Sequence, residues 1–148
     1  MIEEKTVPDH AVEVRVRVRY AETDQMGVAY YANYFVWFEV GRSEYCRQRG
    51  FEYRRFEKEY GLYLAVTEAT CRYLSSARYD DELIVRTWVS EIRRRSLTFS
   101  YDIRRAPDGQ PLARGHTVHV VMDGQGRPRS LPPEYAACLA GPLAPTDG

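Results

Sequence analysis

The chain has 148 residues and a formal net charge of zero, from 21 basic and 21 acidic residues. Its apolar fraction of 44% and aromatic fraction of 13% are typical of a globular protein, and its length fits one domain. The balanced charge gives no overall signal for nucleic acid or for an anionic membrane. We therefore expect a single domain over residues 1–148, with no nucleic-acid binding and no membrane insertion.

The three cysteines, Cys46, Cys71 and Cys138, are odd in number and far apart in the sequence. They form no CxxC pair, so they indicate neither a zinc site nor a disulfide framework. The first ten residues, MIEEKTVPDH, are acidic and polar, unlike a signal peptide. No apolar run approaches the length of a membrane span. These features predict a protein of the reducing cytoplasm.

The first predicted element is a strand in the segment VEVRVRVRY. Val12, Val14, Val16, Val18 and Tyr20 alternate with charged residues, which is the pattern of a half-buried strand. The alternation ends at the polar segment AETDQMG, which predicts a turn.

A long helix is predicted from Tyr30 to about Arg49, because the apolar residues there recur at helical spacing. Its first two turns are apolar nearly all round, as expected for a helix embedded in a sheet. Gly41 costs the helix about 1 kcal/mol relative to alanine, which close packing against a strand can offset. Gly50 is a plausible stop signal, and the segment FEYRRFEKEYG predicts a second, short helix.

The remainder of the chain predicts four strands in a meander, over residues 62–74, 82–94, 96–106 and 111–123. Asp108 and Gly109 form a strong hairpin signal between the last two strands. After Gly124 the sequence is rich in Pro, Gly and Ala, and we expect this tail to end as a flexible terminus. One long apolar helix against one antiparallel sheet gives the α+β class.

The junction between the first strand and the long helix is the candidate functional site. Asp, Thr and Gly at such a place can simply form a turn and cap the helix. However, Glu22, Thr23 and Asp24 supply more polar groups than a cap needs, and Gly27 permits close approach of the backbone. The helix start also offers free N–H groups. Amides of this kind can stabilise an oxyanion while a carboxylate attacks a carbonyl or activates water.

The segment RYAETDQMGVAYYANYFVWFEVGRSEY closely resembles the active-site segment of hotdog-fold acyl-CoA thioesterases. The resemblance is to the 4-hydroxybenzoyl-CoA thioesterase group, which includes the Tol-Pal-associated thioesterases. The segments CRYLSSARYDDEL, EIRRRSLTF and RPRSLP resemble later family segments, so the resemblance covers about residues 12–133. It implies a curved antiparallel sheet wrapped around one long helix. It also implies an acyl-CoA substrate, no cofactor, and a homodimer or dimer of dimers (a homotetramer) with the active site between subunits.

The resemblance implies that Asp24 is the catalytic nucleophile or general base, and that the backbone N–H of Tyr31 polarises the thioester carbonyl. Thr23 is a further catalytic candidate, because it and Tyr20 can hold Asp24 in place or contact the acyl group; ordinary packing at the strand end is the alternative. Many Tol-Pal-type members have histidine where this chain has Tyr31. Ser76 replaces the usual proline before ARYDD.

The densest basic turn, Arg93 to Ser96, lies where the resemblance places contacts to the CoA phosphates, which arginine forks suit. A solvated charged hairpin is the alternative interpretation. Asn33 matches the family but can equally brace the helix. The substrate-binding residues predicted in this way are Tyr20, Gly27, Tyr30, Asn33, Arg94, Arg95 and Ser96.

The sequence raises four further possibilities. Glu39 is acidic in an apolar part of the helix, and some hotdog enzymes carry their catalytic carboxylate on this helix; a salt bridge or dimer contact is the alternative. His116 and His119 are three residues apart on one strand and so point to opposite faces, which predicts no metal site. A hotdog dehydratase or hydratase would need a catalytic histidine beside an acid in the junction or the helix, and this junction has none. A non-catalytic acyl-CoA-binding or envelope-complex protein is the alternative to an enzyme.

Overall fold

A computed structural model describes residues 7–140. Its strands and α-helices follow the predicted order; a single 3-10 turn at Tyr20–Glu22 and one short α-helix at the end are added. The elements are β1 Val12–Arg17, α1 Asn33–Gln48, α2 Tyr53–Tyr60, β2 Leu62–Tyr73, β3 Glu82–Ile92, β4 Ser96–Ala106, β5 Pro111–Asp123 and α3 Pro133–Ala140. The helix stop predicted at Gly50 is confirmed, because Gly50 has a φ of +79° directly after the last turn of α1.

The five strands form one antiparallel sheet in the order β1-β3-β4-β5-β2. The predicted meander is therefore correct only for β3, β4 and β5; β2 pairs with β5 instead of with its neighbour in sequence, β3. The two helices between β1 and β2 carry the chain to the far edge of the sheet, and β3 then returns to pair with β1. Strand periodicity contains no information about which strand is the partner, so the sequence does not reveal this crossing.

Helix α1 packs against the sheet through close ring contacts. Phe38 stacks on Tyr101 with ring centroids 4.2 Å apart, and Tyr45 meets Phe99 edge to face at 6.0 Å. Gly41 lies directly over β3: a Cβ atom at this position would sit 2.2 Å from Thr87 Oγ1. The predicted reason for a glycine in mid-helix, close packing against a strand, is confirmed. The predicted α+β class, one long helix on a curved antiparallel sheet, is confirmed as well.

The predicted tail is folded over part of its length. Tyr135 and Leu139 of α3 are buried, and the Tyr45 hydroxyl donates a 2.6 Å hydrogen bond to the Leu139 carbonyl. This contact ties α3 to α1, so the packed structure extends past residue 133, the end expected from the sequence. The flexible end predicted for the tail falls on residues 141–148, which lie outside the described residues. Among the described helices, none is both long enough and apolar enough to cross a membrane.

Candidate active site

The loop between β1 and α1, residues 18–32, is held on the sheet by backbone hydrogen bonds. The N–H of Val18 donates to the Asp81 carbonyl at 2.9 Å, and the N–H of Ala29 donates to the Ala77 carbonyl at 2.8 Å. The segment from residue 77 to 81 leads directly into β3, so the loop is anchored beside the start of that strand. The loop that contains the candidate catalytic residues is therefore held in place by hydrogen bonds to the segment before β3.

Asp24 lies in a tight turn that its own side chain stabilises. Its Oδ1 accepts the Met26 N–H at 2.8 Å, and its backbone carbonyl accepts the Gly27 N–H at 3.0 Å. Gly27 has a φ of +81°, a conformation that glycine adopts at no steric cost. Asp24 thus forms the turn but does not cap α1, because the N-terminus of α1 has no side-chain cap hydrogen bond. Oδ2 has no hydrogen-bond partner among residues 7–140, and the side chain is half-buried.

The start of α1 provides a free backbone donor at the predicted position. The first-turn amides of Asn33 and Tyr34 donate to the carbonyls of Tyr30 and Tyr31, at 2.9 and 3.3 Å. By contrast, no acceptor among residues 7–140 engages the N–H of Tyr31. This N–H shares its planar peptide unit with the Tyr30 carbonyl, so the hydrogen bond from Asn33 to that carbonyl fixes its orientation. In the next peptide unit, the Tyr31 carbonyl accepts the hydroxyl of Tyr73 at 2.9 Å. This arrangement leaves one oriented N–H group available to a ligand oxygen.

Glu22 ties the Asp24 turn to the helix start, and the sequence analysis gave it no such role. The side chain is only 6% exposed; Oε1 accepts the Arg19 N–H at 2.8 Å, and Oε2 accepts the indole N–H of Trp37 at 3.3 Å. The Glu22 carbonyl accepts the N–H of Tyr30 and the side-chain amide of Asn33, both at 2.8 Å. The sequence shows only that Glu22 is an acidic residue two positions before Asp24. Its contact with Trp37, which gives it the bracing role, is visible only in the folded chain.

Tyrosines surround the helix start. Tyr30 and Tyr31 have ring centroids 4.7 Å apart, and Tyr73 meets Tyr34 edge to face at 5.0 Å. The neighbouring Tyr31 hydroxyl raises the pKa of Tyr30, and the negative charge of Asp24 adds to that rise. Burial raises the pKa of Tyr73. These hydroxyls are therefore protonated donors at neutral pH. Tyr73 is a further residue that the sequence analysis did not select.

Three of the other predicted residues are engaged in local contacts. The Thr23 hydroxyl donates to the Tyr20 carbonyl at 2.7 Å, which closes the turn before Asp24. The Tyr20 ring is largely exposed and stands edge-on to Tyr79, 5.7 Å between centroids. Asn33 uses its side-chain amide on Glu22, so it braces the helix start, which is one of the two roles considered for it.

Arg94, Arg95 and Ser96 are not near Asp24 within one chain. They follow the far end of β3, whereas the Asp24 loop is anchored at its beginning. Ten residue steps along a strand span about 33 Å. The basic turn packs instead on the segment after β5: the Leu131 N–H donates to the Arg94 carbonyl at 2.9 Å, and Arg94 Nε donates to Ser130 at 3.1 Å.

Glu39 and the two strand histidines lie away from the Asp24 loop. Glu39 is exposed on α1, eight residues after Tyr31, which is about 12 Å along a helix. His116 contacts Glu68 at 2.7 Å and Thr70 at 2.9 Å, whereas His119 is buried with Nε2 2.8 Å from the Thr117 hydroxyl. No group of three His, Cys, Asp or Glu side chains within residues 7–140 is arranged to hold a metal ion.

Known proteins resemble this chain over most of its length. It is 34% identical over 114 residues to the putative acyl-CoA thioesterase YneP of Bacillus subtilis, covering 77% of this chain and 81% of that protein. It is 35% identical over 132 residues to the acyl-CoA thioesterase YbgC of Haemophilus influenzae, covering 88% and 96%. Residues 18–139 match the family described as the thioesterase-like superfamily.

The chain belongs to the thioesterase-like superfamily. The solved 4-hydroxybenzoyl-CoA thioesterase from Pseudomonas sp. strain CBS-3 has the same fold, with a TM-score of 0.79 at 24% identity, covering 86% of this chain and 98% of that one. The family and the hotdog fold predicted from the sequence are thereby confirmed. In this superfamily member, the Asp24 turn and the free Tyr31 amide are the candidate catalytic groups.

Proposed function

We propose that the protein hydrolyses an acyl-CoA thioester to a free acid and CoA, with Asp24 and the Tyr31 backbone N–H as the reacting groups. The observation that carries this proposal is that one braced loop holds both groups. Within residues 7–140, Oδ2 of Asp24 has no hydrogen-bond partner and the oriented N–H of Tyr31 has no acceptor. The relatives described above, which are named as acyl-CoA thioesterases, support the same reaction class.

The chemistry requires only these two groups and water. In the general-base route, Asp24 takes a proton from water as the water oxygen bonds to the thioester carbon. The carbonyl becomes an oxyanion that accepts the Tyr31 N–H. The intermediate then collapses, the C–S bond breaks, and the CoA thiolate takes the proton from Asp24. In the nucleophilic route, Asp24 bonds to the carbonyl carbon and expels CoA, and water then hydrolyses the resulting anhydride.

The side chain of Tyr31 is dispensable in both routes, because the proposed donor is its main-chain N–H. This explains how tyrosine can stand where many Tol-Pal-type relatives have histidine. Thr23 contributes by closing the turn before Asp24, and Glu22 by joining that turn to the helix start. Both are positioning residues in this proposal.

The test of the proposed function is release of free thiol from short-chain, long-chain and aromatic acyl-CoAs by the wild-type protein. We expect turnover of at least one acyl class, undiminished after dialysis against EDTA because the proposed chemistry uses no metal. Tight binding of acyl-CoA without thiol release would contradict the proposal and establish a binding protein instead. Turnover that EDTA abolishes would contradict the two-group mechanism.

We propose that the working unit is at least a homodimer, formed along the edge of β2. This strand of 12 residues pairs only with β5 in the described chain, and exposed side chains at its centre include Val66. A long unprotected edge strand is a template for pairing with another chain. A two-fold partner would also offer a way to bring Arg94 and Arg95 of one chain towards Asp24 of the other.

The oligomeric state can be measured by light scattering coupled to gel filtration. We expect a mass of two or four times 17.2 kDa. A proline at Ala69, an exposed position at the centre of β2, is expected to shift the mass towards the monomer. A wild-type protein that is monomeric while turning over acyl-CoA would rule out the shared site.

We also propose a cytoplasmic location. Cys46, Cys71 and Cys138 are all free thiols in the structure, which suits a reducing compartment. Cell fractionation with an antibody to the protein tests this placement, and recovery from an oxidising compartment would contradict it.

A further inference from the structure

A cavity of about 780 Å³ lies beside the second half of α1, away from the Asp24 loop. Its size is in the range of small-molecule binding sites. Its apolar wall comes from α1, the loop after α1, α2, β2 and β4; the residues of this wall are Cys46, Phe51, Tyr53, Leu64, Val66 and Phe99. The exposed polar residues of the lining are Glu39, Ser43, Arg47 and Glu52. Two further polar side chains lie deeper, the half-buried Arg42 and the buried His119.

Arg42 and His119 are the two ends of a hydrogen-bonded chain of four side chains. Arg42 Nη1 lies 3.0 Å from the Tyr101 hydroxyl, which lies 2.6 Å from Thr117 Oγ1. Thr117 Oγ1 in turn lies 2.8 Å from His119 Nε2. Tyr101, Thr117 and His119 are all buried, so each of these groups needs its hydrogen bond.

The direction of this chain follows from Arg42, because a guanidinium can only donate. The Tyr101 oxygen accepts from Arg42, and we assign its own hydrogen to Thr117, because Thr117 is the other partner of this buried hydroxyl among residues 7–140. Thr117 then donates to His119 Nε2, which must be the acceptor nitrogen. Burial and the nearby Arg42 charge lower the pKa of His119 to about 4, so the ring is neutral at neutral pH. The remaining ring proton therefore sits on Nδ1.

The Nδ1–H of His119 is a donor without a partner. His119 is 2% exposed and lines the cavity, and no group within residues 7–140 accepts from Nδ1. Arg42 likewise lacks a counter-charge: none of the Asp or Glu oxygens of the described residues lies within 4.0 Å of its guanidinium. Arg42 and His119 are thus both donors towards the cavity, and Arg42 carries a positive charge.

We propose that this cavity binds the carboxylate end of a small organic acid, whose apolar body lies against the aromatic and aliphatic walls. A carboxylate accepts from both donors and neutralises Arg42. A ligand hydroxyl fits less well, because its own hydrogen would face two donors. The carboxylates at the opening, Glu39 and Glu52, are exposed, so water screens their repulsion of the ligand.

The carboxylate can come from two sources. It can belong to a free acid, or it can be a second carboxylate at the far end of a substrate acyl group; the latter rests on the proposed function. Arg42 lies eleven residues after Tyr31, which is about 16 Å along α1. A short acyl group cannot span this distance from the Asp24 turn of the same chain, so the second source also requires the Asp24 turn of the other chain in the proposed dimer.

The test compares binding of hexanoate and hexanamide, which differ chiefly in charge, by titration calorimetry. We expect hexanoate to bind wild type at least about tenfold more tightly than hexanamide, because hydrogen bonds to charged groups are the strong ones. We expect Arg42→Met to weaken hexanoate binding by at least about tenfold. The matched control is Arg55→Met on α2, whose arginine is exposed and pairs with Glu59; it should leave hexanoate binding unchanged.

Equal binding of the two ligands, or undiminished hexanoate binding by folded Arg42→Met, would overturn the proposal. If Arg42→Met fails to fold, the test is made on the wild-type protein, by nitrogen NMR of its isotope-labelled histidines. Hexanoate should shift the Nδ1 resonance of His119 and not the resonances of His116. A His119 signal that does not respond to saturating hexanoate would also overturn it.

The two sources are separated by thiol release from glutaryl-CoA and pentanoyl-CoA. A preference for glutaryl-CoA that Arg42→Met reduces tenfold assigns the carboxylate to the acyl group. Hexanoate binding without such a preference assigns it to a free acid. If wild type releases thiol from neither thioester nor from any other acyl-CoA, the proposed function fails, and hexanoate binding alone still decides the cavity assignment.

Discussion

Replacing Asp24 with asparagine is expected to lower kcat for acyl-CoA hydrolysis by about a thousandfold or more. A positioned general base contributes typically about 10²–10⁴-fold, and each tenfold corresponds to about 1.4 kcal/mol of barrier. The substitution removes the charge and the basicity but keeps an oxygen at Oδ1. That oxygen can still accept the Met26 N–H, so the turn should persist. Thiol release at saturating acyl-CoA measures the effect.

The matched control is Asp80→Asn, the same chemical change on a neighbouring loop. Asp80 is exposed, and its φ of +68° is one that asparagine tolerates. Its carboxylate lies 3.7 Å from Arg17 in an exposed ion pair, which contributes little to stability. We expect wild-type turnover from this variant. If Asp24→Asn keeps more than about a tenth of wild-type kcat, Asp24 is neither nucleophile nor general base, and Glu39 becomes the carboxylate to test.

Helix α1 and the five strands could be predicted because each has a periodicity of its own, whereas the short helix α3 was not predicted. The alternation of valines in β1 and of Leu97, Phe99, Tyr101 and Ile103 in β4 matches the burial of those side chains. Asp24 could be selected because it combines a turn-forming residue with neighbouring glycine and a helix start. Each of these signals comes from residues that are close together in the sequence, so it can be recognised without knowing the fold.

Contacts that depend on three-dimensional pairing could not be predicted. The position of β2 beside β5, and not beside β3, depends on where two helices deliver the chain. Arg94 and Arg95 were grouped with Asp24 by resemblance, yet the length of β3 separates them within one chain. The bond between Glu22 and the Trp37 indole joins residues 15 apart in sequence, which no spacing rule indicates.

The line of side chains from Arg42 to His119 illustrates the same limit. Its members come from α1, β4 and β5, and nothing in their separate segments links them. The sequence analysis considered His119 only as a possible metal ligand with His116. The fold gives it a different role, as a buried neutral ring whose tautomer follows from a donor-only residue three hydrogen bonds away.

His119 is expected to make the fold sensitive to acid. Burial and Arg42 lower its pKa in the folded state to about 4, from the usual value near 6.5 in an unfolded chain. The unfolded state therefore binds a proton more readily, and the free energy of unfolding falls as pH drops from about 6.5 towards 4. The loss approaches about 3 kcal/mol at the lower end. Urea unfolding at pH 7.0, 5.5 and 4.5 measures it.

The physical reason is that a protonated ring cannot be accommodated by the existing hydrogen bonds. A second ring proton on Nε2 would point at the Thr117 hydroxyl, whose hydrogen already faces the ring because Arg42 can only donate at the other end. Glutamine at position 119 has no proton to gain, so His119→Gln should flatten most of the slope between pH 6.5 and 4.5. His10, whose pKa burial also lowers, accounts for part of the remainder.

His116→Gln is the matched control, since His116 is partly exposed and contacts Glu68. We expect this variant to keep the wild-type loss of stability between pH 7.0 and 4.5. A His119→Gln variant with an unchanged slope would show that His119 accepts its second proton without cost. The order of donors from Arg42 to His119, and with it the free Nδ1–H in the cavity, would then be wrong.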